Sequence, residues 1–158
     1  AAWMLNQVGL RWRDLAAWSR AEPLMRRALA IDEQSFGTDH PDVAIDLNNL
    51  AQLLQATNRL AEAEPLMRRT LSIHEESLGT EHPDVTKYLS SLAHLLQATN
   101  RLAEAEPLQR RALEIFEASL GPDHPWTVGA RGNLEAIRSP RPGKPSSPGP
   151  RGLDAADS

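Results

Sequence analysis

The sequence predicts an all-α chain, a right-handed solenoid of stacked helix-turn-helix units with about seven helices and no strand. The first observation is a repeat. The stretch QATNRLAEAEPL fills Gln55 to Leu66 and returns unchanged at Gln97 to Leu108. HPDV begins at His40 and again at His82, and HPWT begins at His124, so the landmarks are spaced 82 − 40 = 42 and 124 − 82 = 42 residues apart. Aligned without a gap, residues 40–81 and 82–123 share 29 of 42 positions. A period of this length marks a stacked array, in which each unit buries its apolar face only against its neighbours. The second observation is that apolar residues within a unit recur in steps of three and four, the helical spacing. Third, only seven of the 158 residues are aromatic, so the core must be built mostly from Leu and Ala.

The units follow in order. In the first, about 1–39, AEPLMRRALAI at 21–31 matches AEPLMRRTLSI at 63–73. The opening AAWMLNQVGLRWRDL enters in mid-pattern without an initiator Met or a signal-peptide pattern, which suggests a fragment of a longer protein. In the second unit, 40–81, Val43, Leu47, Leu50, Ala51 and Leu54 make Pro41 to Ala56 a helix. Pro41 suits its first turn and Asp42 its positive end. TNR at 57–59 breaks the pattern, with Asn58 read as the N-cap of the next helix. That helix runs from about Leu60 to Leu78, with Ala63, Leu66, Met67, Thr70, Leu71 and Ile73 on one broad face and Gly79 as its C-cap. Pro65, repeated at Pro23 and Pro107, lies past the first turn and implies a bend shared by all units. The third unit, 82–123, repeats this plan, and a half unit, 124–138, supplies one more helix. The tail 139–158 holds five Pro, three Gly and four Ser with almost nothing apolar to bury, and reads as disordered.

The net charge of -4 offers no global basic field for nucleic acid or an anionic membrane. The absence of cysteine excludes disulfides, thiol catalysis and Cys-type zinc sites. No apolar run approaches the ~18 residues of a membrane span. These features together point to the cytoplasm.

His40, His82 and His124 each follow an acid, Asp39, Glu81 and Asp123. One ladder position per repeat cannot converge on a single ion, because packed helices sit roughly 8–10 Å apart while zinc needs ligand atoms within about 2 Å. These histidines therefore read as polar residues opening each first helix. The sequence lacks a glycine-rich phosphate loop, a GxSxG motif and a distinctive carboxylate pair, so no enzyme activity and no cofactor is expected. The pairs Arg26-Arg27, Arg68-Arg69 and Arg110-Arg111 stand four residues from Glu22, Glu64 and Glu106, which makes them a salt-bridged face rather than an anion-binding stripe.

Leu47, Leu50, Ala51, Leu54, Ala63, Met67 and Thr70 follow an alternation of large and small core positions that resembles the tetratricopeptide repeat. The 42-residue period and the wording HPDVA…LNNLA…AEPLMRRAL resemble its kinesin-light-chain subtype. The resemblance covers about 1–138. Its small position is Gly9, Ala51 and Ala93 but becomes Glu135 in the half unit, so the solenoid is expected to end at Arg138 with a capping helix.

Within the first helix, most differences between the two full repeats fall along one stripe. Positions 45, 48, 49 and 52 share a helical face and change from Ile45, Asn48, Asn49 and Gln52 to Lys87, Ser90, Ser91 and His94. The resemblance implies that this face of each first helix lines a concave groove where amides hold the backbone of an extended peptide; an amide both donates and accepts. The stripe comprises Asn6, Gln7 and Arg13; Asn48, Asn49, Gln52 and Gln55; Lys87, Ser90, Ser91, His94 and Gln97; and Asn133. The expected function is a non-catalytic scaffold that binds a peptide or partner segment there. The alternative is a structural or self-associating solenoid segment of a larger signalling protein.

Overall fold

A computed structural model describes residues 18–139. They form six helices: α1 Trp18–Phe36, α2 Pro41–Ala56, α3 Leu60–Leu78, α4 Val85–Ala98, α5 Leu102–Leu120 and α6 Pro125–Arg138. No strand occurs among the described residues. The seventh helix of the sequence reading falls in residues 1–17, and the tail in 140–158, both outside the described residues. Packing runs between consecutive helices, as a solenoid requires.

One apolar cluster threads the stack from Ala21 to Ile137. Its centre is the repeated Leu–Ala pattern: Leu50, Leu54, Leu92, Leu96, Ala93 and Ala63 are buried, with their Cβ-only members allowing close helix approach. Helices α1, α3 and α5 run through Pro23, Pro65 and Pro107 without a break. Pro65 and Ala61, whose carbonyl loses its amide partner to the proline, are both exposed. Water can therefore serve that carbonyl, which lowers the cost of the missing bond.

Asn58 does not cap α3. It sits at φ 58 and closes α2 instead, as Asn100 at φ 59 closes α4. Its amide donates to the Gln55 carbonyl at 2.9 Å, and the Arg59 amide donates to the Leu54 carbonyl at 2.8 Å. This pair of bonds satisfies the last carbonyls of α2 and requires a left-handed residue, a conformation Asn tolerates. Gly79, the expected C-cap, sits at φ 94 and ψ 152. That region is essentially closed to residues with a Cβ.

His40 and His124 cap α2 and α6, each Nδ1 accepting from the amide two residues on, Asp42 at 3.2 Å and Trp126 at 3.3 Å. His82 accepts likewise from Asp84 at 3.2 Å, but α4 begins later, at Val85. The difference traces to Thr86 in place of Ala44. Its hydroxyl donates to the Pro83 carbonyl, and the Val85 and Thr86 amides bond three residues back rather than four.

The arginine face is salt-bridged, as its glutamates implied, and the bridges cross between units. Glu22 takes Arg26 at 2.8 Å and Arg59 at 2.5 Å, and Arg59 also holds Glu62 at 2.6 Å. The same set recurs 42 residues on, with Glu64, Arg68, Arg101 and Glu104. Arg69 and Arg111 reach back to Glu33 and Glu75. Hydrogen bonds from Arg59 and Arg101 hold the Glu62 and Glu104 carboxyls below their usual range. Burial pushes Glu22 and Glu64 up, but bonds from their paired arginines outweigh it and the net shift is downward.

The last helix departs from its predecessors. Where α2 and α4 bury Leu47 and Leu89, Ala51 and Ala93, and Leu54 and Leu96, α6 carries Arg131, Glu135 and Arg138, none of them buried. Arg131 bonds Glu117 at 2.8 Å and Arg138 bonds Glu106 at 3.0 Å. Its other face buries Thr127, Ala130, Leu134 and Ile137 against the stack.

Candidate functional site

The stripe lies on successive first helices, α2, α4 and α6, and every described member is reachable from solvent. Gln52, Lys87 and His94 are exposed; Asn48, Asn49, Gln55, Ser90, Ser91, Gln97 and Asn133 are half-buried. Their partial burial follows from the leucines beside them on each helix. Asn48 and Asn49 thus rest partly against the helix packing while staying reachable from solvent. Asn6, Gln7 and Arg13 lie outside the described residues.

The fold brings some of these residues together across units. Gln55 of α2 and His94 of α4 border a shallow concavity of about 170 Å³ floored by Leu60 and Leu95. The Gln55 amide turns inward there, donating to the Met67 sulfur at 3.0 Å. Lys87 and Ser90 of α4 face Asn133 of α6 across a larger concavity of about 440 Å³. Ser91 and Gln97 border neither concavity.

Sequence reasoning missed the aromatic residues of the larger concavity. Trp126 stands where the earlier units place Asp42 and Asp84, and it is 65% exposed. Its ring lies 6.1 Å from that of Phe116, tilted by 55°. The signal was the change from HPDV to HPWT at the third landmark, which a comparison confined to the two full repeats leaves out. One junction earlier, His74 stacks on Tyr88 with centroids 4.1 Å apart and planes within 11°. Burial, and then the charge of Lys87, holds the His74 imidazole below its usual range, with Asp84 opposing. The Lys87 ammonium lies 4.7 Å from the Tyr88 ring centroid.

Among the described residues, no group of three His, Cys, Asp or Glu side chains could hold a metal ion, and no helix is long and apolar enough to cross a membrane.

A family model described as tetratricopeptide repeat matches residues 1–76, 47–118 and 84–139. No curated protein matches the sequence significantly. Among solved structures, a putative kinesin light chain from Podosopora anserina with nearly identical repeats is similar at 23% identity and TM-score 0.75, over 86% of this chain and 64% of that one. BtubC from P. vanneervenii is similar at 22% identity and TM-score 0.72, over 86% of this chain and 54% of that one. This chain therefore spans less than two thirds of either. The first repeat module of Spaghetti, solved with the HSP90 peptide SRMEEVD, is similar at 18% identity and TM-score 0.64, over 88% of this chain and 91% of that one. The kinesin-light-chain likeness anticipated from the 42-residue wording thus recurs among the structural neighbours, and with its repeats matched from residue 1 to residue 139 the chain belongs to the tetratricopeptide repeat family.

Proposed function

We propose that the chain is a non-catalytic interaction scaffold that holds an extended partner segment along the stripe of α2, α4 and α6. The observation that carries this is the recurrence of solvent-reachable amides and hydroxyls at matching positions of successive units: Asn48 and Asn49, then Ser90 and Ser91, then Asn133. An extended backbone offers donors and acceptors in regular alternation, and such a ladder can meet them without reading a particular side chain. The peptide seated in the Spaghetti module is in keeping with this use of the fold. Lys87, exposed where the preceding unit has Ile45, tunes the preference toward acidic or carboxylate-bearing segments, and salt weakens that preference. In this reading the stack closes at Arg138, because the charged outer face of α6 rejects a further apolar helix.

The test begins by crosslinking the native full-length protein to recover a partner. That partner is then titrated against wild type and the Asn48→Ala, Asn49→Ala double variant. The double variant should stay folded and lose about 1–3 kcal/mol of binding, on the order of two interfacial hydrogen bonds. Equal affinities would move the site off the stripe. A stable oligomer with no such partner would favour a self-associating solenoid.

A further inference from the structure

We infer that the concavity between α4 and α6 is a binding site for a single aromatic side chain, a phenyl or phenol ring presented by a partner protein. The inference deepens the stripe reading and rests on it. Its warrant is a comparison of two junctions within one chain. At the junction of α3 with α4, His74 and Tyr88 form a ring stack and Lys87 lies over the Tyr88 ring. Forty-two residues on, His74 becomes Phe116, Tyr88 becomes Ala130 and Lys87 becomes Gly129. An aromatic ring is kept at the His74 position while the Tyr88 ring and the Lys87 amine over it are removed. What remains is a concavity of about 440 Å³ bordered by Phe116, Ala130 and Gly129, with Trp126 as a second aromatic wall. The space that Tyr88 fills at one junction is left open at the next.

The remaining lining suits the same guest. Lys87 also borders the concavity, from α4. Ser90 and Asn133 supply hydrogen-bonding groups for a phenol hydroxyl or for the backbone on either side of the ring. These three residues also belong to the stripe, so the concavity is continuous with the proposed path of the extended segment. Trp126, 65% exposed, would lose its apolar surface to a guest ring packed against it, the usual behaviour of an interface anchor.

The experiment titrates the full ¹⁵N-labelled chain with three probes: N-acetyl-tyrosinamide, N-acetyl-phenylalaninamide and N-acetyl-leucinamide. Both ring amides should shift the Gly129 and Ala130 amides and the Trp126 indole N–H. Their Kd should be at least about threefold below that of the leucine amide, the discrimination a stacked pair adds beyond area. Ala130→Tyr, which rebuilds the upstream arrangement, should abolish the shifts. Trp126→Ala, at an exposed position compatible with folding, should weaken ring binding at least about threefold and leave the leucine probe unchanged. Equal affinity for all three probes, shifts centred elsewhere, or no effect of Trp126→Ala would overturn the assignment. So would probe-free shifts at Gly129 that grow with protein concentration as the sedimenting mass doubles, which would put a second copy in the concavity. The Asn48→Ala, Asn49→Ala variant lies a unit away and should bind the ring amides as wild type does. Partner binding lost in that variant, with no ring binding in wild type, would refute the concavity and keep the stripe. Ring binding with partner affinity unmoved by that variant would do the reverse.

Discussion

Leu92→Ala should destabilise the chain by about 3 kcal/mol, within the ~2–5 kcal/mol typical of buried leucine truncation. Leu92 is 1% exposed at the middle of α4, inside the cluster that joins all the units, so its removal opens a cavity that well-packed neighbours cannot collapse into. For a domain of this size about 3 kcal/mol lowers Tm by on the order of 10 °C. Leu50→Ala, the same position one unit earlier and fully buried, should behave alike. Leu78→Ala is the internal control. It makes the same chemical change at a side chain 42% exposed, and should cost about 1 kcal/mol or less. Thermal and urea unfolding followed by far-ultraviolet circular dichroism reads all three. An unchanged midpoint for Leu50→Ala and Leu92→Ala, or a loss for Leu78→Ala equal to theirs, would refute the assignment of the buried helical face.

Gly79→Ala should cost about 1–3 kcal/mol although open space surrounds the new methyl, because the backbone there sits at φ 94; an unchanged urea midpoint would contradict this. Deleting 139–158 should leave Tm nearly unchanged, since the segment has little apolar surface to bury, and a drop of more than a few degrees would mean that it docks on the solenoid. The glutamates of the inter-unit lattice titrate below the ordinary value of 4.5, so their stabilising contribution is present above that pH and is lost as pH falls below it. An Arg59→Gln, Arg101→Gln variant should show a shallower loss of urea stability on acidification; parallel curves would show that the lattice contributes nothing. High salt should shrink the difference between the two proteins, because the bridges are largely exposed.

The fold was legible because stacking imposes one rule on every unit. The buried set of α2 and the C-terminal end of α3 follow from Leu50, Ala51, Leu54 and Gly79, whose types suit a single position each. Where a residue type serves two ends of a helix, the sequence is ambiguous. Asn58 is a good N-cap by chemistry, yet between α2 and α3 the chain must first reverse, and the left-handed turn claims it. The later start of α4 hangs on one hydroxyl at Thr86, a local contact that periodicity does not register. The proposed stripe rests on what varies between the first helices of the two full repeats, a comparison that leaves out Trp126 and Ala130 because they belong to a half unit. Their proposed role needed the third dimension, because the stack of His74 on Tyr88 with which Ala130 is compared is a contact between helices.

The central claim is that a partner segment runs along the stripe, and amide chemical-shift mapping with the recovered partner tests it most directly. The account predicts that the largest perturbations fall on residues 45–55 of α2, 87–97 of α4 and 129–133 of α6, with the Glu22–Arg59 and Glu64–Arg101 lattice undisturbed. Perturbations centred on that lattice, with the stripe silent, would contradict it.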